Sequence, residues 1–258
     1  MAIIKKFRIK SFKKNKPILK IEKLSLSFNK RQILDNISFD LNQSEILGLL
    51  GPNGVGKSTI FNLIMGLLKP NYGSVLINNK NIVGYPIAER ANKFKISYVP
   101  QYGGYFHDLT LLQNLRAVAE IQLENPKERA NKIDNLIGKF EFDNLLNIHA
   151  KFLSGGQKKK LVIALALLNN PKVLLLDEPF AALDVLTIKM LKELIVELQF
   201  KDKISICICD HQARDLLSCV DNAIILSNCK IIAKGTPAEL VNDTKAQNAY
   251  FGSSFKFN

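Results

Sequence analysis

Two patterns of hydrophobic residues predict two kinds of strand. Residues Ile21–Leu26 and Ile37–Leu41 alternate apolar and polar positions, which indicates half-buried antiparallel strands. Val75–Ile77, the turn Asn78-Asn79 and the following Ile82 have the pattern of a hairpin. These segments predict an antiparallel β subdomain.

Almost fully apolar runs predict the second kind of strand. Ile46–Leu50, Val173–Leu176 and Ile204–Cys209 contain few polar residues, as expected of strands that are covered on both faces. Val173–Leu176 leads directly into two acidic residues, Asp177 and Glu178. The runs predict a mostly parallel core sheet and therefore an α/β fold.

Helical periodicity occupies the middle of the chain. From Thr110 to about Phe140 apolar residues recur at helical spacing, and Pro126 separates the stretch into two helices. A further helix opens after Leu153. We interpret residues of about 104–170 as an inserted α-helical subdomain.

Length and charge limit the remaining possibilities. With 258 residues and 47% hydrophobic content, the chain has enough core for one large domain, which we place at residues 20–258. The formal net charge is +13, but residues 1–20 hold eight basic and no acidic residues, which leaves +5 for the rest. The basic character comes mainly from an N-terminal extension, residues 1–19, so no nucleic-acid partner is expected.

The N-terminal extension has two interpretations. Ile3, Ile4 and Phe7 could form one side of a short amphipathic segment on an anionic membrane surface. The weak periodicity and the missing acids favour a solvated extension instead. No run approaches the roughly 20 apolar residues of a membrane helix, and basic residues interrupt the start of the chain where a signal peptide would be apolar. We therefore expect a cytoplasmic location.

The four cysteines lie in apolar contexts. Cys207 and Cys209 share one face of a strand, and Cys219 and Cys229 follow. Because their spacing matches no zinc pattern, we interpret all four as core thiols.

The clearest chemical pattern lies between the first buried strand and a helix. This stretch fits G-x-x-x-x-G-K-[ST], in which glycines let backbone N–H groups point at phosphate oxygens. The positive end of the helix that begins near Lys57 points to the same place. Lys57 adds a charge for the β- and γ-phosphates, and Ser58 can bind Mg²⁺. Nine residues are therefore predicted to bind a nucleoside triphosphate: Gly51, Pro52, Asn53, Gly54, Val55, Gly56, Lys57, Ser58 and Thr59.

Polar residues follow the buried strands at one edge of the predicted sheet, where ligands bind in such folds. Asp177 can hold Mg²⁺ through water, and Glu178 can polarise a water for attack on the γ-phosphate. His211, after the strand that ends at Cys209, can donate a hydrogen bond to the γ-phosphate. A strand-end carboxylate can also be structural or simply solvated, and a lone histidine is often a surface residue. The prediction of a hydrolytic site therefore depends on the three residues occurring together.

A second anion site is predicted at Ser154-Gly155-Gly156. These residues open a helix, whose free N–H groups and dipole attract anions. One chain already has a complete phosphate loop, so a second cradle has an evident use if it serves the nucleotide of another subunit.

In their order along the chain, these motifs resemble those of the ATP-binding subunits of ABC transporters, over about residues 20–257. The resemblance implies a P-loop NTPase of ABC ATPase type, with a mostly parallel core sheet, an antiparallel β subdomain and an inserted helical subdomain. It implies a role for each motif: Phe28 stacks on adenine, Gln101 reaches the metal and the attacking water, Leu153–Gln157 is the signature, Ala181–Asp184 is the D-loop, and His211 is the switch histidine.

The resemblance also implies cofactors and partners. ATP and Mg²⁺ would bind, with Ser58, Gln101 and Asp177 at the metal. Two copies of the chain would sandwich the nucleotides. The partner-facing residues would be Ser154, Gly155, Gly156, Gln157 and Asp184. The single nucleotide-binding module requires separate transmembrane permease subunits, which places the protein peripherally on the cytoplasmic face of the inner membrane.

Three positions depart from the usual pattern of the family. Phe28 stands where many members have tyrosine, Leu165 where arginine is usual, and Val185 where proline often follows the D-loop. None of these changes removes a catalytic group. We therefore expect ATP hydrolysis, with Glu178, His211 and Gln101 as the catalytic residues.

Within the family, several segments resemble the ATPase of the lipopolysaccharide export transporter. They are Tyr98–Gln101 with Phe106 beyond it, Asp177–Ala181, Lys158–Lys160, and an ending with Gly235–Pro237 and Tyr250–Gly252. By this likeness Phe106 would contact coupling helices of the permeases, although it could also be a locally buried aromatic. Lys158–Lys160 could equally be a solvated helix face.

Two other functions stay open at this stage. The ATPase of a branched-chain amino-acid importer shares the Gly-Thr-Pro type of ending. A soluble ABC ATPase in DNA repair or translation is disfavoured, because residues 60–152 leave no room for a long coiled coil and the chain has one module. Export from the inner membrane is the preferred interpretation.

Overall fold

Residues 16–252 are described by the computed structural model, and they form two β-sheets with helices around them. The strands are β1 (Pro17–Phe28), β2 (Arg31–Asn42), β3 (Ile46–Leu50), β4 (Tyr72–Ile77), β5 (Lys80–Asn81), β6 (Ile96–Val99), β7 (Val173–Asp177), β8 (Ser205–Cys209), β9 (Asn222–Ser227) and β10 (Lys230–Gly235). The helices are α1 (Lys57–Met65), α2 (Ile87–Asn92), α3 (Leu111–Gln122), α4 (Pro126–Phe140), α5 (Gly155–Leu167), α6 (Val185–Phe200), α7 (Ala213–Leu217), α8 (Pro237–Asn242) and α9 (Thr244–Ala246). Shorter helical turns lie at Asp143–Leu145, Ala150–Phe152 and Gln247–Phe251.

The larger sheet has six strands in the order β10-β9-β3-β8-β7-β6. Strands β9, β3, β8, β7 and β6 are parallel, and β10 pairs antiparallel with β9. Along β7, Leu174 and Leu176 join one apolar cluster while Val173 and Leu175 join another on the opposite face. Both faces are covered, which explains the apolar runs in the sequence. The predicted mostly parallel core sheet is confirmed.

The smaller sheet is antiparallel, in the order β2-β1-β4-β5. Its predicted hairpin is present, and both turn residues, Asn78 and Asn79, have the positive φ angles that asparagine tolerates. Strand β1 begins at Pro17, and Ile18 and Leu19 are buried. The domain boundary predicted at residue 20 therefore falls inside a strand. Residues 1–15 of the N-terminal extension lie outside the described residues.

Helices α3, α4 and α5 occupy the stretch assigned to the helical subdomain and contact one another. Thr110 caps α3 in a capping box with Gln113, and Asn125 caps α4 with Pro126 at the first helical position. These caps explain why the chain breaks into two helices at this proline. In the described part of the chain, no helix has both the length and the apolar composition that a membrane span requires.

The prediction that the cysteines are core thiols is confirmed for three of the four. Each of the four is a free thiol, and Cys207, Cys209 and Cys219 are buried in the apolar clusters. Cys229 is half-buried in the turn between β9 and β10, with a positive φ angle. Its interpretation as a core thiol is wrong, because a turn residue cannot enter the interior with the strands.

A buried arginine caps the C-terminal end of α1. The guanidinium of Arg90, 2% exposed, donates to the carbonyl oxygens of Leu63 and Ile64 at 2.7 and 2.9 Å. It also donates to the carbonyls of Val83 and Tyr85, both at 2.8 Å. The last carbonyls of a helix have no partner within the helix and carry partial negative charge, so this cation both pairs and stabilises them.

The substitution Arg90→Met should lower the free energy of unfolding by about 2–4 kcal/mol, because four carbonyls lose a charged donor in a buried place. Urea unfolding of the purified protein measures this. Arg116→Met, at an exposed arginine of α3, is the matched control and should change the free energy by less than about 0.5 kcal/mol. Equal effects of the two substitutions would contradict the assignment.

Candidate functional site

The loop between β3 and α1 is shaped by glycines at positive φ. Gly51, Gly54 and Gly56 have φ angles of 151°, 78° and 106°. A Cβ atom on Gly51 would lie 2.5 Å from the carbonyl oxygen of Leu226, and one on Gly56 would lie 2.7 Å from Cδ2 of Leu34. The loop backbone therefore packs directly against β9 and β2. A Cβ on Gly54 would meet nothing within 4 Å, so that side of the loop is open.

Lys57 lies inside this loop. Its Nζ donates to the carbonyl oxygens of Gly51 and Pro52 at 2.7 and 3.0 Å, and the residue is 5% exposed. Lys57 is also the first residue of α1, after Gly56 as the N-cap. A buried ammonium and the unpaired N–H groups of a helix start thus share one small space, which is the arrangement that binds phosphate.

Asp177, at the end of β7, is 3% exposed and accepts hydrogen bonds from three elements. Ser58 Oγ and Cys209 Sγ lie 3.0 and 2.7 Å from its Oδ1, and the Tyr98 hydroxyl lies 2.9 Å from its Oδ2. Burial and the neighbouring Asp177 raise the pKa values of Tyr98 and Cys209, so both remain protonated donors. The adjacent Ser58 hydroxyl and Asp177 carboxylate are the oxygen donors that Mg²⁺ prefers.

Glu178 is the point at which the predicted catalytic residues meet. Its backbone N–H donates to the Cys209 carbonyl at 2.7 Å, and its φ angle is 44°. Its Oε2 accepts from Gln101 Nε2 at 2.7 Å and lies 3.4 Å from His211 Nδ1. The structure therefore brings two residues from two other loops to one carboxylate oxygen of Glu178. Gln101, also expected at the metal, contacts Glu178 rather than the Asp177–Ser58 pair.

Two charged residues that the sequence analysis did not assign to the site support these loops. Asp210 is buried and accepts from the backbone N–H groups of Phe180 and Gln212, and burial raises its pKa. Lys159 donates from Nζ to the carbonyl oxygen of Gln101 at 2.9 Å, and burial lowers its pKa. Lys159 thus links α5 to the loop that carries Gln101, which a solvated helix face would not do.

The second predicted anion site has a different set of neighbours. Ser154 caps α5 in a capping box with Gln157. A Cβ atom on Gly156 would lie 2.6 Å from Cγ2 of Thr187 in α6, whose own N-cap is Asp184. Asp184 accepts from both N and Oγ1 of Thr187, which lowers its pKa. In the described chain Asp184 therefore acts as a helix cap, and its predicted contact with a nucleotide stays a prediction.

The predicted adenine-stacking residue is accessible. Phe28 is the last residue of β1 and is 48% exposed, which leaves its ring free to stack. Two residues at the site, Tyr98 and Cys209, were not predicted from the sequence. Tyr98 and Cys209 each lie next to a recognised motif, and the phase of their strands places them beside Asp177. Lys159 belongs to the basic run Lys158–Lys160, but the run does not predict a contact with the site, and no local pattern marks Asp210.

Comparison with other sequences supports one family. The profile of the ABC transporter family matches residues 34–181. The chain is 38% identical over 240 residues to the lipopolysaccharide export system ATP-binding protein LptB of Haemophilus influenzae, covering 93% of this chain and 99% of that protein. It is 34% identical to LptB of Escherichia coli, covering 92% and 98%.

Solved structures agree with the sequence comparison. The ATP-binding cassette MJ1267 in its ADP conformation superposes with a TM-score of 0.82 at 28% identity, covering 93% of this chain and all of that one. A dimeric post-hydrolysis cassette, MJ0796 bound to ADP and Pi, gives 0.75 at 25% identity, covering 85% and 98%. Sequence, fold and the arrangement around Lys57, Asp177 and Glu178 agree. The chain belongs to the ABC transporter family, as one of its ATP-hydrolysing subunits.

Proposed function

We propose that this subunit hydrolyses ATP at the carboxyl end of β7, with Glu178 as the residue that polarises the attacking water. The observation that carries this proposal is the shared Glu178 Oε2, contacted by the Gln101 amide and close to the His211 ring. A carboxylate in hydrogen-bond reach of the water can orient it and accept its proton. Gln101 fixes the carboxylate, and His211 donates to the γ-phosphate.

The phosphates are proposed to bind the loop Gly51–Thr59, with Lys57 leaving the loop carbonyls to contact them and Phe28 stacking on adenine. When bound, Mg²⁺ neutralises charge on the phosphates. Ser58 and Asp177 would hold it. Among residues 16–252 no group of three or more His, Cys, Asp or Glu side chains forms a metal site. Phosphate and water oxygens would therefore complete the coordination, as is usual for Mg²⁺.

The active form is proposed to be a homodimer. The phosphate-loop glycines pack against β2 and β9, whereas Gly155 and Gly156 pack against Leu183 and Thr187. The two cradles thus have different surroundings within one chain, and the signature glycines would serve the nucleotide of a second copy. The dimeric cassette described above supports this arrangement.

Lipopolysaccharide export is the proposed process. Both LptB relatives named above belong to an export system and match nearly the whole chain, which favours export over amino-acid import. The chain would act from the cytoplasmic face of the inner membrane, bound to separate permease subunits.

Phe106 is the proposed contact with the permeases. It is 49% exposed, and the fully buried Asn114 bonds both its N–H and its carbonyl, at 2.7 and 3.0 Å. A cavity of about 190 Å³ near this loop is lined by Tyr105, Val162 and Leu183, among others. An exposed aromatic ring on a backbone held by Asn114, next in the chain to a residue that lines a cavity, suits the docking of a helix.

The substitution Glu178→Gln should preserve ATP binding and lower the hydrolysis rate by about 10²-fold or more, because an amide accepts the proton of water poorly. With Mg-ATP the variant should accumulate as a dimer on size-exclusion chromatography. Glu120→Gln, at an exposed glutamate of α3, is the matched control and should behave as the wild type. A Glu178→Gln variant that hydrolyses ATP normally would exclude the assigned role, and one that stays monomeric would exclude the sandwich.

The substitution Phe106→Ala should weaken association with the permease subunits by about 2 kcal/mol, roughly 30-fold, because it removes an aromatic anchor. The measurement is affinity purification of the tagged protein from gently solubilised membranes of its own cell. Hydrolysis by the isolated subunit should be unchanged, and Ile121→Ala, at an exposed isoleucine of α3, is the control.

The proteins that co-purify with the wild type test the process itself. Two membrane subunits with large periplasmic domains would support export. Permeases together with an amino-acid-binding protein would show an importer instead.

A further inference from the structure

The last described turn of the chain places a tyrosine against the site. Tyr250 lies in the turn Gln247–Phe251, and its hydroxyl donates to the backbone carbonyl of His211 at 3.0 Å. The backbone N–H of Gly51, the first residue of the phosphate loop, interacts with the same oxygen. One hydroxyl therefore lies between the start of the phosphate loop and the residue assigned to the γ-phosphate.

The turn that carries Tyr250 is itself anchored. Asp243 accepts from the N–H of Ala246 at 2.8 Å, and Gln247 Nε2 donates to the carbonyl of Val241 at 2.7 Å. The rings of Tyr250 and Phe251 meet edge to face at 5.3 Å, and both pack against the larger apolar cluster. The turn Gln247–Phe251 therefore sets the position of the hydroxyl independently of the loops that the hydroxyl contacts.

The Tyr250 hydroxyl can donate to one of these neighbours and accept from the other. A phenol has one proton to donate, which goes to the His211 carbonyl, and lone pairs that can accept from the Gly51 N–H. Burial raises the pKa of Tyr250 to about 12, so the hydroxyl keeps its proton at neutral pH. The carbonyl of Gly51 in turn accepts from Lys57. Gly51 is thus held at its carbonyl by Lys57, and its N–H faces the Tyr250 hydroxyl.

The loop that carries His211 has bonds of its own, and the His211 carbonyl also accepts from the N–H of Ala213 at 3.0 Å. Asp210 is fixed by the N–H groups of Phe180 and Gln212. The His211 side chain itself is 42% exposed and lies 3.4 Å from Glu178. Ala213 lies two residues further along the same loop, whereas the Tyr250 hydroxyl ties the His211 carbonyl to the separate turn Gln247–Phe251.

We propose that Tyr250 is a positioning residue for ATP hydrolysis, which fixes the backbone of His211 relative to Gly51 through its hydroxyl. This inference rests on the role proposed above for His211. Because the phosphate loop provides most of the ATP contacts and His211 acts on the γ-phosphate, Tyr250 affects the chemical step more than binding.

The test is Tyr250→Phe in the purified full-length subunit, which removes the hydroxyl and keeps the ring. We expect kcat for ATP hydrolysis to fall about three- to tenfold, the size of one or two hydrogen bonds, while KM changes less than about twofold. The matched control is Tyr72→Phe, at a tyrosine that is 76% exposed in β4, and it should leave both constants unchanged. An unchanged kcat in Tyr250→Phe would overturn the inference.

A double-mutant cycle with His211→Ala separates positioning from a general structural effect. If Tyr250 acts through His211, Tyr250→Phe should have no further effect in the His211→Ala background, as measured by single-turnover hydrolysis. An equal fold-loss in both backgrounds would overturn the inference while leaving the role of His211 intact. Full activity of His211→Ala alone would instead remove the role of His211, and the inference would fall with it.

Discussion

The buried carboxylate of Asp177 is the constraint on which the site depends. A carboxylate that is nearly inaccessible to water is costly unless donors surround it, and here Ser58, Tyr98 and Cys209 supply them from α1, β6 and β8. The strand order β3-β8-β7-β6 places these elements beside β7. The sheet topology therefore supplies the donors that stabilise the buried carboxylate at the proposed metal site.

Two consecutive residues, Asp177 and Glu178, carry a buried carboxylate and the carboxylate proposed to act in catalysis. Asp177 is the last residue of β7, while Glu178 follows the strand at a positive φ angle. Its N–H still donates to Cys209 in β8, and its carbonyl accepts from the N–H of Ala181 in the next turn. Such a conformation costs about 1–3 kcal/mol for a residue with a side chain, and it persists where the surroundings impose it. The sharp turn directs the Glu178 side chain to Gln101 and His211 instead of into the core.

Contiguous motifs made the fold and much of the site predictable. Gly51–Thr59 and the strand end at Asp177 carry their chemistry within a few residues, so the sequence alone locates them. Lys159, Asp210 and Tyr250 act through contacts with residues distant in the chain, and such contacts leave no periodic or local signal. Cys229 shows the opposite failure, since an apolar context in the sequence did not distinguish a turn from a strand.

The N-termini of α1 and α5 differ in whether their hydrogen-bond donors already have partners within one chain. At α1, Lys57 fills the loop by bonding its carbonyls, and phosphate would replace those bonds with stronger, charge-assisted ones. At α5, Ser154 uses its oxygen to accept from the Gln157 N–H, which leaves the hydroxyl proton available together with the N–H groups of Gly155 and Gly156. The capping box leaves these donors available, and α5 packs against α6 and away from β2 and β9. These donors therefore suit a nucleotide that is held mainly by another copy. The local chemistry of one helix end therefore supports the proposed dimer, in addition to the family likeness.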